Sequence, residues 1–311
     1  MNRLIVSPSP HMVSNHSTTT IMRDVLIALI PALVVSVTVF GPSALIVTAV
    51  SVAACVFFEW LCRKVMKRPH TISDLSAAVT GVLLAFNLPP SIPLWMVILG
   101  AFFAIVIVKQ LFGGIGQNFA NPAIAARIML FISFGTQMTT WTEPFAYLHS
   151  SVDAVAQATP LVDINAANTW NLFVGNIPGC IGEISAIALL IGGIYLTVRK
   201  VINPAVPIVF VGTVFLITWI GGENPLNNLL AGGLLLGSIF MATDYSSTPS
   251  AFWGKLLFAF GCGVITSLIR LFGSYPEGVS FAILLMNLLT PLIDRAIKVR
   301  PFGVRRANSN V

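Results

Sequence analysis

Few side chains in this chain can do chemistry, because 11 carboxylates and 17 bases are spread over 311 residues. Asp74, in TISDLS, and Asp244, in MATDYSSTPS, each stand at the end of an apolar run. A carboxylate at a helix start interacts with the free N–H groups there, which accounts for Asp74. Asp244 falls at a helix end, where the dipole does not favour it, so it is the better ion-path candidate of the two. Neither lies in the middle of its run, so a carrier with a deeply buried carboxylate is not written plainly. Residues 113–127, GGIGQNFANPAIAAR, join glycine flexibility to the amides of Asn118 and Asn121 and end on Arg127. Two readings of this stretch stand. One is a tight loop before a helix that Asn121 caps and Pro122 opens. The other is a re-entrant segment offering amides to a cofactor or ion, with Arg127 needing to snorkel or to find an anion. Thr159 precedes a proline in a long polar loop and by itself carries no chemistry.

Metal and nucleotide chemistry find no pattern. Cys55, Cys62, Cys180 and Cys262 have no CxxC spacing, and His11, His16, His70 and His149 lie outside the apolar centres where a haem pair would sit. The glycine pairs follow no strand pattern and lack the Lys or acidic residue of a phosphate or dinucleotide fingerprint. Direct NAD binding is therefore not expected.

The elements that must position these residues are membrane helices. Charged residues make up 9% of the chain, against about 25% in a soluble domain. Hydrophobic residues make up 56% and the mean hydropathy is +0.89. The pI near 9.4 does not point to nucleic acid, because the bases sit at the ends of apolar runs and form no stripe. The spacing predicts ten spans, at 22–40, 43–61, 72–89, 93–111, 122–138, 180–198, 203–220, 225–242, 254–272 and 278–293. With both termini in the cytoplasm, sixteen of the 17 bases lie on that side and only Arg270 falls at the opposite end of a span. The base-free loop 139–179 then lies outside, and divides the spans five and five. An odd number of spans per half makes the halves run in opposite senses, and SDLSAAVTGVLLAFNLPP echoes NPLNNLLAGGLLLGSIFMATD. The expected fold is an all-α polytopic membrane protein of about ten transmembrane helices in two inverted five-helix repeats. Its parts are a cytoplasmic tail, 1–21, a first repeat, 22–138, the outer loop, 139–179, a second repeat, 180–293, and a cytoplasmic tail, 294–311.

Several of these motifs carry a family resemblance along almost the whole chain: the basic loop CRKVMKRPH with SDLSAAVTGVLLAFNLPP, then FGGIGQNFANPAIAARI, ATPL, TDYSSTPS and YPEGVSFAILLMNLLTPLIDR. The chain resembles the D subunit of the Rnf electron-transport complexes, in the wider family that includes the B subunit of the sodium-pumping NADH:quinone oxidoreductase. The resemblance implies FMN joined through a phosphoester to the Thr159 hydroxyl by a flavin transferase outside the cytoplasm. In the attachment pattern Asp153, Ala158 and Thr159 match, whereas Ala156 stands where Ser or Thr is usual and Gln157 where Gly is common. It also implies a second, non-covalent flavin, riboflavin or similar, near residues 113–127, with Asn118, Asn121 and Arg127 as contacts. The implied function is a membrane subunit of an ion-translocating ferredoxin:NAD oxidoreductase in the bacterial inner membrane. Electron transfer there is coupled to movement of Na+ or H+, and the chain is not catalytic alone. Expected partners are the other subunits of the complex, including a periplasm-facing flavoprotein and membrane subunits with an iron-sulfur cluster. The alternatives are the B subunit of the quinone reductase, against which the short N-terminal tail argues, and a flavin-free inverted-repeat channel or transporter.

Overall fold

The computed structural model describes residues 17–69, 71–148, 156–157, 159–161, 163–165, 167–273 and 277–297. All four histidines, Asp153, Ala158 and the basic C-terminal segment lie outside these residues. The described chain is helical except for one two-stranded ribbon. In bilayer hydrocarbon every backbone polar group must be paired internally, which is why apolar runs of this kind fold as helices. Thr18–Phe40 (α1) starts on a Ser17 cap, and Pro42–Val65 (α2) follows a one-residue turn at Gly41. Gly41 has a φ of 72°, and a Cβ there would strike the Tyr147 ring, whose hydroxyl donates to the Thr38 carbonyl at 2.9 Å. Ser76–Phe86 (α3) is short, and Leu94–Phe102 (α4) runs on into a π-helix at Phe103–Gln110. Pro122–Ser133 (α5) and Gly135–Met138 (α6) complete the first half.

The intervening loop doubles back on itself. Its strands Trp141–Thr142 (β1) and Ala156–Gln157 (β2) pair antiparallel, with Trp141 opposite Gln157, and Thr169–Val174 (α7) follows. Ala186–Val198 (α8) and Ala205–Ile220 (α9) open the second half. Pro225–Leu230 (α10) and Leu234–Leu236 (α11) come next, the latter running into a π-helix at Gly237–Met241. The chain then forms Phe252–Phe272 (α12) and Gly278–Ala296 (α13). The predicted all-α, multi-pass architecture is therefore observed. Among the described residues, only α1, α2, α12 and α13 are long and apolar enough to cross a membrane as single uninterrupted helices.

Three predicted spans are corrected. The run 72–89 is a single 3-10 turn at Ile72–Asp74 followed by α3, which stops at Phe86. The run 180–198 becomes helical only at Ala186. The run 225–242 is interrupted after Leu230, where Gly232 has a φ of 65° and the Asn228 and Ala231 carbonyls accept from Arg270 instead of from a following turn of helix. Hydropathy is blind to such breaks, because a loop buried among helices is as apolar as the helix it interrupts.

The two halves pack by the same scheme. In the first, α2 lies against α3 and α4; in the second, α9 lies against α10 and α12. Helices α1 and α8 pair across the middle, closed at one end by an Arg199–Asp24 ion pair of 3.1 Å and at the other by a Ser36 hydroxyl donating to the Ile181 carbonyl. Small residues let these backbones approach: a Cβ on Gly81 would sit 2.7 Å from the Val52 Cα. Large apolar residues such as Ile132, Val198, Ile208 and Phe272 point outward, as a lipid-facing surface requires.

Candidate functional site

Polar side chains gather inside the bundle in two places, one toward each end. The end that carries Ser17 and Ile297 is called the tail end here, and the end that carries residues 139–179 the loop end. At the tail end, Asn121 caps α5 by accepting from the Ala123 and Ile124 amides at 3.1 and 3.4 Å, the structural role its place before Pro122 suggested. Asp74 likewise accepts from the Ser76 amide at 2.8 Å, as expected of a carboxylate at a helix start. A cavity of about 90 Å3 lies beside these caps, lined by Asn118, Asn121, Asp244, Ser76, Lys109 and apolar residues of α1, α3 and α8. It adjoins a wider hollow of about 310 Å3 with which it shares Ile21, Met22, Ile115, Asp244, Tyr245 and Ser246. The Asn118 side-chain carbonyl is buried with no partner, while its amide nitrogen donates to the Ser246 hydroxyl at 3.4 Å. Asp244 accepts from the Ser246 and Ser247 hydroxyls at 2.9 and 3.1 Å, so its carboxylate closes its own turn as well as facing the hollow.

Beside this cavity Glu59 and Lys109 form a fully buried ion pair of 3.0 Å. Glu59 also accepts from Gln110 and Thr71, each at 3.0 Å, and the Lys109 ammonium donates to the Ser76 hydroxyl at 2.6 Å. The π-helix at Phe103–Gln110 widens the final turns of this passage and places Lys109 and Gln110 together on the buried side.

Toward the loop end, residues 175–185 turn back into the bundle. The Gly182 and Ile181 amides donate to the Phe86 and Leu88 carbonyls at 2.9 and 3.0 Å, which satisfies backbone exposed by the early stop of α3. This re-entrant turn brings Cys180 and Glu183 to Arg127. The Arg127 guanidinium donates to the Asn87 side-chain amide oxygen at 2.9 Å and the Ser280 hydroxyl at 3.1 Å, and is ion-paired to Glu277. Arg127 has thus found an anion, and it lies in this network rather than with Asn118 and Asn121. Burial pushes the Glu277 carboxyl above the usual carboxylate range; Arg127 pulls the other way, and Glu183 adds to the rise. Arg270, the outlier of the charge topology, is 8% exposed and donates to the Asn228 and Ala231 carbonyls at the α10–α11 break.

Thr159 lies in the loop over α10. Asn227 of α10 holds that loop, donating to the Ile164 and Ala167 carbonyls at 2.8 and 2.9 Å and accepting from the Thr169 hydroxyl at 2.7 Å. Leu161 packs where a Cβ on Gly232 would come within 2.8 Å. Thr159 itself is 8% exposed, so it is covered rather than presented.

Of the residues singled out from sequence, the structure brings Asn118, Asn121 and Asp244 to one cavity, sets Asp74 beside it through Ser76, and keeps Arg127 and Thr159 apart from it. Sequence reasoning missed Glu59, Lys109, Glu183 and Glu277. The signal was present for the first three, since each is an ionisable residue inside a predicted span.

An all-α bundle with interrupted helices and buried ionisable pairs defines a polytopic membrane protein of the transporting kind, in which such groups mark paths for ions or charge. A family model described as the NQR2, RnfD, RnfE family matches residues 5–303, and the chain belongs to that family. It is similar to the D subunit of the Na+-translocating ferredoxin:NAD+ oxidoreductase complex of Acetobacterium woodii, at 48% identity over 97% of this chain and 96% of the relative. The proton-translocating counterpart from Clostridium ljungdahlii is 44% identical over 98% of each chain. The D subunit of the ion-translocating oxidoreductase complex of Shewanella amazonensis is 35% identical over 96% of this chain and 98% of the relative.

Proposed function

We propose that this chain is the membrane-embedded D subunit of an ion-translocating ferredoxin:NAD+ oxidoreductase of the bacterial inner membrane, active only within its complex. The observation that carries this reading is similarity along nearly the full length of both chains to relatives so named. Those two relatives differ in their named ion, so both Na+ and H+ belong to the reading. Its partners would be the other subunits, including a periplasm-facing flavoprotein and membrane subunits holding an iron-sulfur cluster, and a flavin transferase that matures it. Residues 22–138 and 180–293 would be inverted repeats, a reading supported by their shared packing scheme.

Thr159 would hold FMN as a phosphoester, and bound flavin supplies one- and two-electron transfer. The residue fits the group chemically, having a hydroxyl in a loop outside the helices. Its burial means that the Thr159 hydroxyl must be uncovered when the ester forms. A second flavin would take the tail-end hollow, which at about 310 Å3 is at the lower edge of the roughly 300–1,000 Å3 usual for small-molecule sites. In the smaller cavity that adjoins it, the unpartnered Asn118 carbonyl is an acceptor ready for a ring N–H, and Asn121, already committed to its cap, is a lining residue. Arg127 lines neither this hollow nor the cavity beside it.

The test is in-gel flavin fluorescence of the denatured chain, produced together with the flavin transferase. The expected result is a fluorescent wild-type band and a dark Thr159→Ala band of equal protein content. A dark wild-type band would overturn the flavin reading in favour of a flavin-free transporter or scaffold.

A further inference from the structure

Helices α8 and α9 follow one another in the chain yet stand apart, each resting on α11 and the π-helix behind them, whereas in the first half α1 lies directly against α2. The gap is a crevice of about 410 Å3 on the outside of the bundle. Its walls run along 190–198 of α8 and 204–211 at the start of α9, and its floor is Leu235 and Ile239. The rim, at Ile194, Val198 and Ile208, is exposed. Thr197 is the one polar residue lining the crevice, and its hydroxyl already donates to the Gly193 carbonyl at 2.8 Å. Nothing inside it therefore calls for water or for a polar occupant.

In a membrane such a space is filled by an acyl chain or by a neighbouring helix, and its extent decides between them. At about 1.5 Å per residue the crevice covers about 12 Å of α8 and about 10 Å of α9. The hydrocarbon of one leaflet is about 15 Å deep, half of the roughly 30 Å that a spanning helix crosses. The crevice thus occupies a single leaflet, the one at the tail end, and stops short of the other. A partner's spanning helix would run on past it, whereas a lipid tail ends within its own leaflet. The tail-end limit of the crevice is the turn 199–204, which carries Arg199 and Lys200. Arg199 is answered by the buried Asp24, although 44% of its side chain stays exposed. The Lys200 ammonium is exposed and has no partner among the described residues, so it is the uncompensated charge at the mouth. We propose that the crevice seats one anionic phospholipid of the tail-end leaflet, its acyl chain between α8 and α9 and its headgroup phosphate on Lys200, beside the exposed edge of Arg199. Seated there, the lipid braces two consecutive helices that have little packing of their own.

Neither flavin nor electron transfer enters the readout. The assembled complex is reconstituted with phosphatidylglycerol carrying a photoreactive diazirine on one acyl chain, and the labelled peptides of this chain are mapped by mass spectrometry. Labelling is expected in 190–198 and 204–211, and unlabelled phosphatidylglycerol should compete it away. The same probe built on phosphatidylcholine, whose choline cancels the phosphate charge, should label these segments several-fold less. One base near an anionic headgroup is worth about a fivefold difference in binding. Lys200→Gln should therefore lower the phosphatidylglycerol yield by about that factor and leave the phosphatidylcholine yield unchanged. Val211→Phe keeps both bases but fills the far end of the crevice, and should cut labelling by both probes. Equal labelling by the two lipids would make the filling ordinary bilayer and overturn the proposal. Competition by inorganic phosphate would overturn it in favour of a free anion at the bases. Unlabelled segments in the intact complex would overturn it too, giving the space to another subunit.

Discussion

Glu59 and Lys109 show how much a single pair can decide in a membrane bundle. Both are almost wholly buried, and each leaves the other as an uncompensated charge if removed. Breaking a buried pair from one side costs about 3–5 kcal/mol, whereas replacing both partners by neutral groups is often close to neutral. Glu59→Gln should therefore lower the unfolding temperature of the detergent-solubilised protein sharply, and Glu59→Gln with Lys109→Met should restore most of the loss. A double variant no more stable than the single one would show that the pair is not the source of the effect. What was legible at this scale was local. Asn121 and Asp74 announce their caps by lying within three residues of the amides they serve. Glu59 and Lys109 are 50 residues apart, and Arg127 and Glu277 are 150 apart, so no spacing rule joins them.

Helices were foreseen from apolar runs, but the places where they stop were not. The early end of α3, the start of α8 at Ala186 and the break between α10 and α11 all meet in the loop-end network. Each leaves backbone groups that find partners in another element, and the apolar composition of these stretches hides this. Gly182 marks the tightest of these junctions, because a Cβ there would overlap the Phe86 side chain. Its φ is not the constraint; the space is. Overpacking of this kind costs about 1–3 kcal/mol and forces the backbone to shift. Gly182→Ala should push the re-entrant turn out of the bundle, which hydrogen–deuterium exchange would register as faster exchange of the Ile181 and Gly182 amides. Unchanged protection at both amides would mean that the turn is not held by its contact with α3. Glycines recur in corresponding elements: with Ser76 of α3 placed on Asn227 of α10, Gly81, inside the unbroken α3, falls on Gly232, at the α10–α11 break. Gly81 allows α2 to touch α3, and Gly232 makes room for Leu161 of the loop.

For the molecule as a whole, the question is which way the bundle faces. The base-free loop and the clustered bases argue for a loop end outside and a tail end in the cytoplasm. Arg127 and Arg270 do not weaken that argument, because the positive-inside rule counts bases in loops, and these two are buried in pairing and hydrogen-bonding roles within the bundle. The orientation decides whether Thr159 meets a transferase outside the cytoplasm, and which leaflet lies against the crevice between α8 and α9. Cysteine labelling reads it directly, since Cys55, Cys180 and Cys262 are buried and only the half-buried Cys62 needs replacing among the native thiols. Leu148, 63% exposed beside β1, and Lys200, exposed after α8, mark the two ends. A membrane-impermeant maleimide should label Leu148→Cys in cells whose outer membrane alone is opened. Lys200→Cys should react only after the inner membrane is breached. The opposite pattern would place Thr159 in the cytoplasm and the tail-end hollow outside, and would remove the topological support for flavin attachment at that residue.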